Sequence, residues 1–176
     1  SNHVLAAMNR RHTTDVYFAV IDKLRAVRPD IAMSGDFIVG FPGETDRDFA
    51  ETLQLVNQVG YASAYSFKYS PRPGTPAATI EHQVPEKVKA ERLESLQQLL
   101  NSQQIAFNKA TEGQIVNVLV ERSGGRAGQM AGRSPYMQAV NFVGDQSQIG
   151  QIVPCKLSAA RQNSMSGEII AIKGAA

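Results

Sequence analysis

"DFIVGFPGET", Asp36 to Thr45, decides how the first half of this chain folds. Phe37, Ile38 and Val39 are consecutive apolar residues and read as the end of a strand buried on both faces. Gly40, Pro42 and Gly43 break that strand, and Thr45 reads as the N-cap of a helix. The stretch has two readings. It is strand-to-helix punctuation, with the glycines making a tight turn and Glu44 helping to cap. Or it is a ligand loop, because parallel α/β folds bind ligands at the carboxyl ends of their strands. Glycines there permit close backbone approach, and the first amides of a helix favour negative charge. The residues alone leave both open.

Upstream, "SNHVLAAMNRRH" (1–12) reads as a short amphipathic helix capped by Ser1 or Asn2. It starts without an initiator methionine, which suggests a fragment whose upstream part is missing. Thr13 or Thr14 caps a helix to about Arg28, with Tyr17, Val20, Ile21 and Leu24 on one stripe. A strand over 32–39 leads into the opening loop. Downstream, a helix runs from Thr45 to Val59 with Phe49, Leu53 and Val56 on one face, and Gly60 just past its end. "ASAYSFKYS" (62–70) is a short strand ending near Tyr69. "SPRPGTPA" (70–77) is too proline-rich to continue it. Pro85 opens a helix to about Asn108, with Leu93, Leu96, Leu99 and Leu100 inward. This alternation implies parallel strands in an α/β layer. Two strands do not make an independently stable sheet, a second sign that this is the back end of a larger α/β domain.

From Thr111 the apolar period changes. "GQIVNVLVE" (113–121) alternates, with Val116, Val118 and Val120 on one side. "GGRAGQMAGRSPY" (124–136) reads as a glycine-rich connection. "MQAVNF" (137–142), "QIVPCKLSAAR" (151–161) and "SGEIIAIK" (166–173) read as short strands of a small closed barrel. The fold class is therefore α/β plus all-β, with domains at 1–110 and 111–176.

The 176 residues are 43% hydrophobic and 19% charged, as in ordinary globular proteins. No apolar run approaches the roughly 20 residues that span a membrane. Cys155 is the single cysteine, so no internal disulfide forms and a cytoplasmic setting is expected. The net charge of +2 lies wholly in residues 112–176, which hold six Lys+Arg against four Asp+Glu. That hints weakly at an anionic partner and is also common on solvated surfaces.

Several residues invite chemical readings. Two prolines flank Arg72, stiffening a loop around one positive charge suited to phosphate or carboxylate. Its alternative is a surface arginine in a proline-rich connection. Arg122, Arg126 and Arg133, with Tyr136 and Phe142 close behind, match the basic grooves and stacking platforms by which small barrels hold RNA. A solvated polar turn is the plainer reading of each arginine. His3, His12 and His82 lack metal-ligand spacing. Cys155 reads as a packed, inert thiol. Asp22, Asp30, Asp46 and Asp48 read as helix-face or capping carboxylates.

Together, "VLAAMNRRHT", "DFIVGFPGETDRDFAETL" and "FKYSPRPGTPAA" are more specific than any one alone. They resemble the radical S-adenosylmethionine methylthiotransferases, and most closely the type that modifies isopentenyl-adenosine beside the tRNA anticodon. The tail from about Thr111 resembles the TRAM domain of these proteins. The resemblance implies an open radical-SAM (β/α) barrel, of which this chain holds the C-terminal part, followed by an OB-like TRAM barrel. It implies S-adenosylmethionine and two [4Fe-4S] clusters in the parent protein, one held through CxxxCxxC. That motif is absent here, so the resemblance implies an inactive piece with no cofactor bound. It places Ile38 beside the S-adenosylmethionine adenine, with Gly40 and Phe41 as neighbours. Ser1 falls at the end of the family's fourth-strand segment. Arg10, in a Met-x-Arg pattern, becomes a candidate for the methionine carboxylate. It implies an anticodon stem–loop as partner, contacted by Arg72, Arg122, Arg126, Arg133 and Tyr136. Arg72 favours tRNA over a ribosomal protein, and Lys68 leans away from the threonylcarbamoyl-adenosine class. A self-sufficient RNA-binding module and an unrelated α/β enzyme with a fused barrel are the competing readings. A truncated barrel exposes an unpaired edge, so self-association is expected.

Overall fold

The computed structural model describes residues 1–170. It divides into a unit over Ser1–Gln103 and a second from Gln104 onward.

The first unit holds α1 (Asn2–Ala7), α2 (Thr14–Val27), β1 (Ser34–Val39), α3 (Asp46–Val59), β2 (Ser63–Lys68) and most of α4 (Glu86–Ala110). Its helix starts are set locally. Ser1 and Thr13 accept from the Val4 and Val16 amides. Thr45 and Asp48 form a reciprocal capping box on α3. β1 and β2 pair in parallel from Ser34↔Ser63 to Val39↔Lys68. Ile21, Val39, Val56, Val59, Tyr61, Leu96 and Leu100 make the core. Burying a side chain such as Leu96 contributes about 2 kcal/mol.

Two expectations need correction here. β1 is not buried on both faces: Val39 is enclosed, but Ser34, Asp36 and Ile38 are exposed. The core cluster covers one face of the two-stranded sheet, so the strand alternates. On α2, Val20 and Leu24 lie outside the core, and only Ile21 of the expected stripe is fully enclosed. The helix docks along Tyr17, Phe18 and Ile21 instead, and Arg25 donates to the Val59 carbonyl.

The second unit is a closed five-stranded barrel. β3 (Ile115–Ser123), β4 (Gln129–Arg133), β5 (Ala139–Val143), β6 (Ile152–Ala160) and β7 (Met165–Ile169) close in the order β3-β4-β5-β7-β6. β5 and β7 pair in parallel and the other neighbours antiparallel. The expected inward row of β3 holds, with Val118 and Val120 fully buried and Val116 packed beside them. The "glycine-rich connection" is corrected: its second half is β4. Met130, Ala131 and Gly132 are buried there, because Gly132 lets the strand lie against the Leu119 backbone. Residues 171–173 of the expected last strand lie outside the described residues. Among the described residues, no helix is long and apolar enough to cross a membrane.

Candidate functional site

The first unit contains a cleft of about 500 Å³, within the range of small-molecule sites. α1 contributes Val4 and Leu5, the segment after it Arg10 and His12, and β1 the run Ser34–Ile38. The exposed face of β1 therefore forms part of its wall. Tyr17 and Tyr61 line it too, their hydroxyls 2.7 Å apart. Burial, then the Tyr17 hydroxyl, push the Tyr61 phenol above its ordinary range.

Ser1, Arg10 and Ile38, all singled out from the sequence, converge on this cleft. Gly40 and Phe41 are not among its lining residues. Phe41 is buried and packs edge-on against Tyr69, with ring centroids 5.2 Å apart. Gly40 and Gly43 both take positive φ, 73° and 83°. Their amides are not open to a ligand. Gly40 donates to Glu44 Oε1 at 2.9 Å, and Gly43 to the His82 carbonyl at 2.9 Å. The Glu44 amide bonds the Phe41 carbonyl, and the Thr45 amide bonds Asp48. The loop's expected anion-binding amides are thus satisfied internally. The helix start also carries its own carboxylates.

Glu44 does not cap α3. It is buried and pairs with Arg92 of α4 at 2.7 Å. Arg92 also donates to the Glu44 carbonyl (3.1 Å) and to Asp46 (2.7 Å), and its guanidinium lies 5.7 Å from the Phe49 ring. Burial raises the Glu44 carboxyl above its ordinary value, against the pull of the Gly40 amide and Arg92. One turn back, Lys89 reaches the Tyr69 carbonyl at 3.4 Å. A Cβ on Gly40 would collide with its side chain. Lys89 and Arg92 thus tie α4 to the strand ends that lead into the loop. Sequence reasoning missed this pair. The signal was present: both cations continue the inward stripe of Leu93, Leu96 and Leu100.

Asp48 joins the loop to α1. It accepts from Ser1 Oγ (2.5 Å), the Thr45 amide (2.9 Å) and Thr45 Oγ1 (2.6 Å), and lies 3.2 Å from His3 Nδ1. Burial opposes its ionisation, but these hydrogen bonds outweigh it and hold the carboxyl well below its ordinary value of 3.8. A depressed folded-state value means the stabilisation is present above that ordinary value and is lost as pH falls below it. Asp48→Asn is therefore expected to lower stability at neutral pH and flatten the acid limb of the unfolding profile. Melting followed at 222 nm between about pH 7 and pH 3 checks this. An acid limb as steep as the parent chain's would refute it.

The remaining candidates are dispersed. Arg72 is exposed in the turn before the 3-10 segment Pro76–Thr79, its carbonyl accepting from Thr75 Oγ1 at 2.8 Å. Lys68 is held by Glu86. Arg122 and Arg126 are exposed on the β3–β4 hairpin. Arg133, at the other end of β4, pairs with Glu121 at 3.3 Å. Tyr136 packs edge-on against Phe107, with centroids 5.6 Å apart. Phe142, expected as a stacking platform, is 3% exposed in the barrel core. It sits at an inward position of β5, where strand alternation puts it. Among the described residues no group of three or more His, Cys, Asp or Glu is placed to hold a metal ion. Cys155 is fully buried in the barrel, and burial pushes its thiol up to about 11, as an inert packed cysteine requires.

The model of the radical SAM superfamily matches residues 1–56, which contain α1, α2, β1 and most of α3. The TRAM domain model matches residues 109–170, the barrel. The chain is thus similar to the radical SAM superfamily over its first 56 residues and to the TRAM domain over its barrel. Similarity extends across both parts. A protein of Novosphingobium aromaticivorans named tRNA-2-methylthio-N(6)-dimethylallyladenosine synthase is 57% identical over 96% of this chain. One of Erythrobacter litoralis with the same name is 54% identical over 97%. The chain spans 38% of the length of each of these relatives. Apart from Tyr61, the residues lining the Ile38 cleft lie in the segment matched by the radical SAM model, and the dispersed arginines Arg122, Arg126 and Arg133 lie in the segment matched by the TRAM model.

Proposed function

We propose that this chain is part of a tRNA methylthiotransferase that adds a methylthio group to C2 of isopentenyl-adenosine beside the anticodon, in the cytoplasm. The names of its relatives support this, as does one structural observation: Ser1, Arg10 and Ile38 meet on a single cleft although 37 positions separate the first from the last. In this reading β1 and β2 belong to the family's open barrel. Ile38 packs against the adenine of S-adenosylmethionine, with the Gly40–Phe41 backbone closing the strand end behind it. Arg10 pairs with the methionine carboxylate. Arg72 and the TRAM residues Arg122, Arg126, Arg133 and Tyr136 face the anticodon stem–loop.

In the parent enzyme, S-adenosylmethionine and an iron–sulfur cluster would together supply the radical chemistry that activates the substrate carbon. The parent enzyme would carry two such clusters. The residues present here do not fit either, since the only cysteine, Cys155, is enclosed in the barrel. The chain's own contribution is to bind and orient the sulfonium cofactor and the RNA. The exposed apolar side chains of the first unit, including Val16, Val27, Tyr65 and Phe67, support self-association of the isolated chain.

S-adenosylhomocysteine, which is unreactive, is the suitable probe. Titrated into the chain and followed by NMR, it is expected to shift Ile38 and Arg10 saturably. Arg10→Gln is expected to weaken binding about tenfold, from loss of one charge-assisted pair. Absence of any saturable shift at Ile38 would overturn the cofactor assignment. Light scattering on the same samples is expected to give a mass above one chain, and a monomeric mass would count against self-association. An RNA titration separates the competing module: full affinity retained after removal of residues 1–110 favours a self-sufficient binder.

A further inference from the structure

Met137 is the feature of the barrel that ordinary folding does not explain. It lies in the turn between β4 and β5, where its φ is 61°. That left-handed conformation suits glycine or asparagine, not a long apolar side chain. The side chain is also 68% exposed. A turn needed only to reverse the chain would avoid both penalties with glycine.

The turn is locked around it. Ser134 Oγ accepts from the Tyr136 and Gln138 amides, each at 3.2 Å, and donates to Gln138 Oε1 at 3.0 Å. The Met137 amide donates to the Ser134 carbonyl at 3.0 Å. Gln138 Nε2 reaches Asn108 Oδ1 (3.0 Å) and Thr111 Oγ1 (2.9 Å). Asn108, Thr111, Ser134 and Gln138 are all buried. A satisfied buried polar network of this kind rigidifies its turn, so the strained conformation at Met137 is held rather than sampled.

Beside it runs a row across three strands. Leu119 of β3 stands opposite Arg133 of β4 on one side and Ile152 of β6 on the other. Directly opposed residues share a face of the sheet. Here that face is the outside, with Leu119 and Ile152 41% and 68% exposed. Arg133 links the row to the turn, since its Nη1 donates to the Met137 carbonyl at 3.2 Å. The barrel thus presents a rigid apolar strip with a guanidinium set within it. Phe142 is in the core and Tyr136 packs on Phe107, so this strip is built from aliphatic side chains and one arginine.

Resting on the reading of TRAM as the RNA-binding unit, we propose that Ile152, Leu119, Arg133 and Met137 form its contact strip for unpaired bases. Base faces lie on the aliphatic side chains and thioether, and the Arg133 guanidinium stacks on a base or pairs with a phosphate. Glu121, 3.3 Å from Arg133, partly offsets the charge within the strip, so the argument for a polyanion over a protein partner rests on the chain's entire positive excess lying in residues 112–176. The strip carries no row of base-edge donors, so it recognises single-stranded loop over duplex more than it reads sequence.

The test uses the whole chain and a fluorescein-labelled RNA stem–loop, with a continuous duplex as control, at one fixed salt concentration. M137G is expected to raise the melting temperature, since glycine takes positive φ freely, while weakening stem–loop binding about fivefold. M137N keeps the turn and should lose the same affinity. L119S should weaken stem–loop binding similarly and leave duplex binding unchanged. R133Q should weaken both RNAs and reduce the salt slope by about one. If the unaltered chain binds the stem–loop and M137G and L119S bind it equally well, the strip is not the contact surface. If the unaltered chain binds no RNA at all, the RNA-binding reading falls and this inference with it. Loss of self-association instead of RNA affinity in M137G would assign the strip to protein contact and overturn the proposal.

Discussion

Replacing Arg92 with methionine is expected to destabilise the first unit by about 3–5 kcal/mol, the range found when one partner of a buried ion pair is removed. The reason is what remains. Glu44 is 3% exposed at its side chain and would keep a charge with only the Gly40 amide to hold it. Arg92 also satisfies the Glu44 carbonyl and Asp46, and packs on Phe49. The double variant with Glu44→Gln is expected to recover part of the loss, because a neutral amide is less expensive to leave in that site than a carboxylate. The first unit holds nearly all the helix, so its unfolding is read in urea from the signal at 222 nm. A loss below about 1 kcal/mol for the single variant would show that solvent reaches Glu44 and that the pair is no clamp.

Gly132→Ala is expected to be the most damaging single methyl group in the barrel, costing about 3 kcal/mol. Its Cβ would lie within van der Waals reach of the Leu119 carbonyl oxygen, 2.7 Å from Val118 Cγ1 and 3.0 Å from the Leu119 carbonyl carbon. Two of those atoms are backbone, which cannot rotate away. β4 is hydrogen-bonded to β3 on one side and β5 on the other, inside a closed barrel, so the strand cannot slide to relieve the clash. Because β4 lies wholly in the second compact unit, the loss is expected at the barrel. Hydrogen exchange of the β4 and β5 amides should accelerate, while the transition at 222 nm stays in place. Unchanged barrel protection would mean β3 can shift outward and would refute the argument.

Much of the local structure was legible in the residues because its causes are local. Thr13, Thr45 and Gly60 mark helix ends through their own hydroxyls or φ, and each does so in the structure. The alternation Val116, Val118, Val120 needed only the two-residue period of a strand. β4 was not legible. "AGQMAGR" looks like a loop by composition, and only the close approach of Leu119 shows that Gly132 is there for packing. Phe142 failed for a related reason: an aromatic near arginines looks like a platform until its position on the strand is known. The convergence of Ser1, Arg10 and Ile38 followed from family resemblance, and periodicity could not have found it.

By itself, the sequence determined the caps, the helix and strand periods, the change of architecture near Thr111 and the absence of cluster cysteines. All of these depend on neighbours a few positions apart or on composition. The tertiary structure alone decided which loop amides remain available, that Glu44 is a buried partner of Arg92 rather than a cap, and that the exposed row of the barrel is aliphatic. The Gly43–His82 bond, the Glu44–Arg92 pair and the burial of the barrel strands depend on contacts between residues tens of positions apart, which are set by how the elements pack. "GFPGET" shows the division most clearly. Its turn was written in its glycines, but its donors were already spent on Glu44, His82 and Asp48, and only the fold could show it.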